Sequence, residues 1–327
     1  MHPAFRNLLT RTSLAVLLVF FTLGTAFAAG QKDQPGGGSV VAETTIKVFV
    51  SLTPYKYFVE RIGGSRVQVE TLVEPGRDPH TFDPSPRQIA RLGEAQLFLA
   101  SGMPFEEALT AKLGQASRSL DIVSLLQGLS LHEGHDEDEA GHDDDDHEAD
   151  EAEHDDDEDD DGHDHDGADL HVWLGIPQVR QQAVLIRDAL ISADAAYEAA
   201  YRQAWQAFDA ELAAMDSRFA EKLASLQGRA VLVFHPAFSY FVEAYGLEQK
   251  AIELDGKEPS PRYLEQVVTE SREHGTRVVF TQPEFPLRSA QLIANAIGGR
   301  VVTLNPLDPN WPAMMESLAS AIAEGAY

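Results

Sequence analysis

The chain has 327 residues, a formal net charge of −28 and no cysteine. Of its 53 acidic residues, 23 lie between positions 132 and 169, which leaves a nearly balanced remainder of 30 acidic and 25 basic residues. This composition excludes a disulfide scaffold, argues against nucleic acid or an anionic membrane surface as a partner, and favours a cationic ligand.

The first 28 residues have the pattern of a secretory signal peptide. Arg6 and Arg11 precede an apolar stretch, and Ala26 and Ala28 have the A-x-A spacing of a cleavage site. A membrane anchor is the weaker alternative, because the apolar stretch is short for a bilayer. We therefore expect cleavage near Ala28, a flexible linker over 29–43 and a periplasmic location.

Strand and helix patterns alternate from about residue 44 onwards. The run TTIKVFVS predicts a strand, and the run YKYFVERI after it predicts a helix with Thr53-Pro54 as its cap. Ser85-Pro86 and Ser260-Pro261 begin two further helix patterns, each followed by an apolar strand pattern. This alternation predicts an α/β fold in which helices flank parallel sheets.

A long helix pattern separates two such sets. Between 195 and 227 there is no Gly or Pro, and apolar residues recur at spacings of three and four, which predicts an amphipathic helix of about 48 Å. We expect a strut that joins an N-terminal lobe over 44–194 to a C-terminal lobe over 228–327. The same spacing would permit a coiled-coil seam between two chains.

Three histidines lie near the ends of predicted strands or beside apolar runs. They are His80 in EPGRDPHTFDPSP, His171 in DLHVWLG and His235 in VLVFHPAFSYF. In open α/β sheets the carboxyl ends of the strands line the ligand crevice. Each histidine alone is more often a buried or hydrogen-bonded residue, but three together favour a metal site. Neutral imidazole suits zinc, and three imidazoles leave a fourth coordination position open.

Four motifs in order carry a resemblance to a known family. DPHTFDPSP, ADLHVWLG, VFHPAFSYF and VVFTQPEF, with a long helix and a His/Asp-rich insertion before the second histidine, resemble the periplasmic metal-binding receptors of ABC importers, closest to the ZnuA type. The resemblance covers 44–327. It implies two α/β lobes joined by a long rigid backbone helix, with zinc held between them by His80, His171 and His235.

The fourth motif departs from the wider family. Gln282 stands where an acid is common, and Pro286 stands near an aspartate of the manganese-binding branch, which weakens a manganese interpretation. Glu284 is the one acid close after this predicted strand. We expect either Glu284 or water to complete the zinc tetrahedron, the alternative being that Glu284 is a solvated loop carboxylate.

The acidic segment 132–169 has almost no apolar residues, which predicts a disordered insertion in the N-terminal lobe. It contains seven of the twelve histidines, namely His132, His135, His142, His147, His154, His163 and His165. Carboxylates attract divalent cations and favour protonated histidines, so we expect low-affinity, pH-dependent metal sites that raise zinc occupancy near the cleft. The alternative is a solubilising spacer that binds metal incidentally.

The resemblance implies a receptor, not an enzyme, that delivers Zn²⁺ to a membrane permease driven by an ATPase. A zinc-dependent hydrolase or hydratase with three histidines and a water is the main alternative, but the sequence has no H-E-x-x-H helix and no clear nucleophile elbow. A manganese-binding receptor or adhesin of the same family is a further alternative. Calcium prefers oxygen ligands and leaves the histidines unexplained. We expect a monomer without a nucleic-acid partner.

Overall fold

The structure is a computed structural model that describes residues 45–113, 119–134, 167–253, 259–285 and 287–325. The predicted signal peptide and linker lie outside these ranges. The described strands are β1 (Ile46–Leu52), β2 (Val67–Val73), β3 (Leu97–Ala100), β4 (Asp121–Ser124), β5 (Ala230–Val233), β6 (Glu248–Ala251), β7 (Val278–Thr281) and β8 (Arg300–Thr303). The described α-helices are α1 (Thr53–Gly63), α2 (Pro86–Leu92), α3 (Pro104–Leu113), α4 (Ile176–Ala193), α5 (Glu198–Leu223), α6 (Ser239–Ala244), α7 (Pro261–Glu273), α8 (Leu287–Ile297) and α9 (Trp311–Gly325). Among them, none is long and apolar enough to cross a bilayer.

The described strands form two parallel four-stranded sheets with equivalent topologies. The strand orders are β2-β1-β3-β4 and β6-β5-β7-β8, and every neighbouring pair is parallel. In each sheet the strand order changes direction at the first strand, β1 or β5, because the next strand lies on one side of it and the later strands lie on the other. Such a change of direction opens a crevice at the carboxyl ends of the strands. The predicted α/β fold is confirmed, and both crevices lie where a ligand is expected.

The long helix α5 packs along both lobes. With the short 3₁₀ turns that flank it, this helix covers 195–226. Phe208 packs against Phe58 of α1 with ring centroids 5.9 Å apart, and Phe219 packs against Phe241 of α6 at 5.7 Å. The apolar face predicted from the sequence is therefore covered by this chain's own helices, as expected of a strut.

The last helix, α9, also contributes to the core of both lobes. Trp311 at its start is fully buried, lies 5.0 Å from the ring of Phe58, and donates from its indole nitrogen to the carbonyl of Trp173 (2.8 Å). Trp173 in turn donates to the carbonyl of Pro306 (2.9 Å). One hydrophobic core runs from β1 to α9, so the lobes share buried apolar surface that limits how far they can separate.

Two of the three predicted helix caps are present, and one is wrong. Ser85 accepts a hydrogen bond from the backbone N–H of Gln88, whose side chain reaches back to the N–H of Ser85, and Ser260 caps α7 through its hydroxyl. Thr53 is instead the first residue of α1, and its hydroxyl donates to the carbonyl of Val73 (3.2 Å). The Thr53 hydroxyl therefore bonds to β2 and does not cap the first turn of α1.

The cap at Ser85 fixes the start of α2 directly after the loop that carries His80. Ser85→Ala keeps the backbone N–H but removes the hydroxyl, which accepts the N–H of Gln88 and donates to the side-chain oxygen of Gln88 (2.9 Å). We therefore expect the free energy of unfolding to fall by about 1 kcal/mol. Urea unfolding of the zinc-free protein measures this change. Ser260→Ala is the comparison and should cost less, since among the described residues the Ser260 hydroxyl only accepts the N–H of Tyr263 (3.2 Å). Wild-type stability of Ser85→Ala would contradict the prediction.

Candidate metal centre

The three histidines predicted to bind metal converge on one point between the lobes. The Nε2 atoms of His80 and His171 are 3.2 Å apart, and the ring centroids of the three residues lie 5.1, 5.2 and 5.4 Å from one another. One ring nitrogen of each lies within 4.8 Å of the other two. Two nitrogens bound to one tetrahedral zinc are about 3.3 Å apart, because Zn–N bonds are about 2.0–2.1 Å. The cluster therefore has the dimensions of a zinc site.

His80 is presented by a tight turn after β2. The carboxylate of Asp78 accepts hydrogen bonds from the backbone N–H of His80 (2.9 Å) and the hydroxyl of Thr81 (2.8 Å), which closes the turn. Desolvation, and then the charges that His171 and His235 carry when protonated, lower the pKa of His80 to about 4. Its imidazole is thus neutral at pH 7, which leaves the lone pair of one ring nitrogen available to a metal ion.

His171 is buried and is oriented by Asp169. One carboxylate oxygen of Asp169 lies 2.7 Å from the Nδ1 of His171 and accepts the backbone N–H of the same residue (2.9 Å), while the other accepts the hydroxyl of Ser239. Burial alone would raise the pKa of Asp169, but His171 and Ser239 outweigh it and hold the pKa at about 2. This carboxylate favours the tautomer with hydrogen on Nδ1 and a free lone pair on Nε2.

Asp169 is a functional residue that sequence reasoning missed, because it was assigned to the disordered insertion. It is 7% exposed and lies at the insertion's folded end. The available signal was its position two residues before His171, at the point where the acidic run gives way to the apolar LHVWLG. A carboxylate two positions before a histidine can reach the Nδ1 of that imidazole.

His235 lies two residues after the end of β5, and its backbone and ring are held by three contacts. The side-chain amide of Gln282 donates to its carbonyl (3.0 Å), the ring of Phe285 stacks on its imidazole at 4.9 Å, and Glu253 lies 3.4 Å from its Nδ1. The Nε2 of His235 is buried without a hydrogen-bond partner in the described ranges. Gln282, where an acid is common in the wider family, thus supports the backbone of His235.

Glu284 lines the same pocket but is not part of the imidazole cluster. Its carboxylate lies outside the group of described atoms that are mutually within 4.8 Å. Desolvation, with a contribution from the charge of Asp78, raises the pKa of Glu284. Its role as a fourth ligand stays a prediction, and Pro286 lies outside the described residues. Apolar Trp173, Pro306 and Leu307 also line the pocket.

The two ends of the predicted insertion are folded. Glu133 forms an antiparallel bridge with Ala168, the backbone N–H of His132 donates to the Tyr240 hydroxyl (2.9 Å), and that hydroxyl donates to the carbonyl of Asp169 (2.8 Å). The ring of His132 stacks on Tyr240 at 4.0 Å. The other six predicted loop ligands, His135, His142, His147, His154, His163 and His165, lie outside the described residues. Metal binding by these histidines and His132 stays a prediction.

Comparison with known proteins agrees with this geometry. Residues 48–325 match the family model of ZnuA, zinc-uptake complex component A, periplasmic. A crystal structure of ZnuA aligns with a TM-score of 0.73 and 31% identity, over 86% of this chain and 99% of that chain. The structure of a zinc-bound ZnuA deletion mutant aligns with the same TM-score and identity, over 86% of this chain and 98% of that chain. The high-affinity zinc uptake system protein ZnuA of Yersinia pestis is 27% identical over 80% of this chain and 82% of its own length. This chain belongs to the ZnuA family of periplasmic zinc-uptake components.

Proposed function

We propose that this chain is the zinc-binding receptor of an ABC importer, and that it holds its cargo Zn²⁺ with His80, His171 and His235. The observation that carries the proposal is the convergence of three imidazoles from two lobes in a member of the ZnuA family. Three neutral nitrogen donors suit zinc better than manganese, which favours carboxylate and water ligands. Glu284 or a water molecule then occupies the fourth position.

The surroundings of the imidazoles favour binding over catalysis. Asp169 and Glu253 both lie behind ligand histidines, and Asp78 is engaged in the turn that presents His80. Within the described part of the pocket, Glu284 is therefore the one acid available as a general base, whereas hydrolysis also requires space and donors for a substrate. We expect the zinc-loaded protein to be inactive on esters, peptides and carbon dioxide.

Delivery requires that a partner distinguish zinc-bound from zinc-free protein. Zinc can shift the lobes towards a closed arrangement only if it binds that arrangement more tightly. Because the shared core and α5 tie the lobes together, we propose a small closing motion of a periplasmic monomer. After loss of residues 1–28, the closed form docks on a membrane permease that an ATPase drives.

A zinc titration of a loop-deleted variant separates the cleft from the insertion. Joining Gly134 to Gly167 deletes 135–166 and leaves a two-residue Gly-Gly turn between the paired Glu133 and Ala168, a composition that tight hairpins favour. By calorimetry we expect one tight site in both proteins and several weaker sites in the full chain alone. A folded deletion variant without the tight site would contradict the proposed function.

A further inference from the structure

We propose that Glu253 is a positioning residue for zinc capture, the C-terminal lobe's counterpart of Asp169. This inference rests on the proposed function. Glu253 follows β6, and its backbone N–H donates to the carbonyl of Phe234 (2.9 Å), the residue that precedes His235. The end of β6 is thereby fixed against the strand that presents the histidine, so a side chain at position 253 is aimed at the His235 ring.

The carboxylate of Glu253 is placed to select the metal-binding tautomer of His235. The side chain is 5% exposed, and one oxygen lies 3.4 Å from the Nδ1 of His235. A carboxylate behind a ligand imidazole favours hydrogen on Nδ1, directs the Nε2 lone pair towards the metal and raises the basicity of the ligand. The Nε2 of His235 is buried and has no hydrogen-bond partner in the part of the chain that the structure describes, so a bound cation would supply one.

The carboxylates of Asp169 and Glu253 differ in the partner of their second oxygen, and this difference predicts a particular effect of Glu253 on stability. The second oxygen of Asp169 accepts the hydroxyl of Ser239, whereas the second oxygen of Glu253 is buried and has no partner among the described residues. A buried carboxylate with an unpaired oxygen costs stability, and a cation beyond the imidazole offsets part of that cost. Glu253 therefore disfavours the zinc-free form and favours the zinc-bound form.

Glu253→Gln tests whether the charge of Glu253 favours the zinc-bound form over the zinc-free form, because it removes the charge but keeps a similar shape and an acceptor oxygen. We expect zinc affinity, measured by competition with a chromophoric chelator, to fall about tenfold, while the melting temperature of the zinc-free protein stays the same or rises. A purely structural carboxylate would lose stability instead. Unchanged zinc affinity, or a lowered zinc-free melting temperature, would overturn the inference.

Glu106→Gln is the matched control. Glu106 is equally buried, at 4% exposure, but both of its oxygens are engaged. They accept the backbone N–H groups of Ser101 (3.0 Å) and Gly102 (2.9 Å) and the hydroxyl of Ser101 (2.8 Å), and Glu106 is not among the described residues that line the imidazole pocket. We expect this variant to melt at a lower temperature without zinc and to bind zinc as the wild type does. Glu253→Gln should therefore change zinc affinity and Glu106→Gln should change zinc-free stability. This contrast distinguishes a carboxylate that positions a ligand from one that stabilises the fold.

A second measurement needs no variant and keeps the inference open to contradiction if Glu253→Gln fails to fold. In the zinc-loaded wild type, long-range ¹H–¹⁵N spectra report which nitrogen of His235 carries hydrogen. Hydrogen on Nδ1 with metal on Nε2 supports the role of Glu253, and metal on Nδ1 overturns it. Absence of any tight zinc site in the wild type would instead defeat the proposed function, so the two failures are distinguishable.

Discussion

Replacing His171 by alanine is expected to remove the tight zinc site. His171 is the most buried of the three ligand histidines, and its Nε2 lies 3.2 Å from that of His80. Its loss removes one of three nitrogen donors and leaves the Asp169 carboxylate facing a cavity. Loss of a residue that only orients a ligand costs about 10- to 100-fold in affinity. We therefore expect more than a 100-fold loss for the ligand itself, measured by chelator competition.

His274→Ala provides the control for this experiment. His274 lies at the C-cap of α7, is exposed, and is not among the residues that line the imidazole pocket. This substitution also removes one imidazole and should leave zinc affinity unchanged. Wild-type zinc affinity in folded His171→Ala would show that the ion is held elsewhere. Equal losses in both variants would show that the assay reports stability and not coordination.

The parts of the fold that sequence predicted are those that local chemistry determines. Ser85 and Ser260 cap helices because their hydroxyls reach backbone N–H groups within the same turn. The central strands of the second sheet, β5 and β7, are recognisable as short apolar runs because they are buried. His80 and His235 follow strands of different sheets, so their positions near strand ends place each of them at the crevice of its own lobe. That the two histidines meet at one ion was implied by the family resemblance, not by the strand pattern.

The errors and omissions concern contacts between residues distant in sequence. Thr53 has the local pattern of a cap, but the carbonyl of Val73 in the adjacent strand captures its hydroxyl. Glu253 is separated from His235 by 18 positions, and only the pairing of β5 with β6 brings them together. Trp311 follows the second sheet in sequence but packs on Phe58 of the first lobe. No local pattern encodes these partners.

Asp169 shows how composition can conceal a site residue. It ends a run of 23 acidic residues, and the same low apolar content that predicts disorder for the run applied equally to its last member. Asp169 is nevertheless ordered by Ser239 and Tyr240 of α6, whose hydroxyls donate to its carboxylate and its carbonyl. Because α6 belongs to the second lobe, the insertion's end is held across the junction between the lobes.

Asp169→Asn is expected to weaken zinc binding by about 100-fold without removing a ligand. The 2.7 Å contact with the Nδ1 of His171 is shorter than that of Glu253 with His235, and the same oxygen accepts the backbone N–H of His171. We therefore place the loss at the upper end of the range for residues that orient a metal ligand. Ser239→Ala, which keeps the carboxylate but removes its second donor, should lose less affinity.

The same variant should reveal the carboxylate's contribution to stability through its pH dependence. The pKa of Asp169 is lowered from 3.8 to about 2, so the folded state favours the carboxylate form. That stabilisation, about 2 kcal/mol, is present above pH 4 and is lost as the pH falls through about 2. In urea unfolding of zinc-free protein, Asp169→Asn should be less stable than wild type at pH 5, and the difference should shrink towards pH 2. A difference independent of pH would mean that Asp169 acts through its shape and not through its charge, and that the orientation of His171 does not depend on an ionised partner.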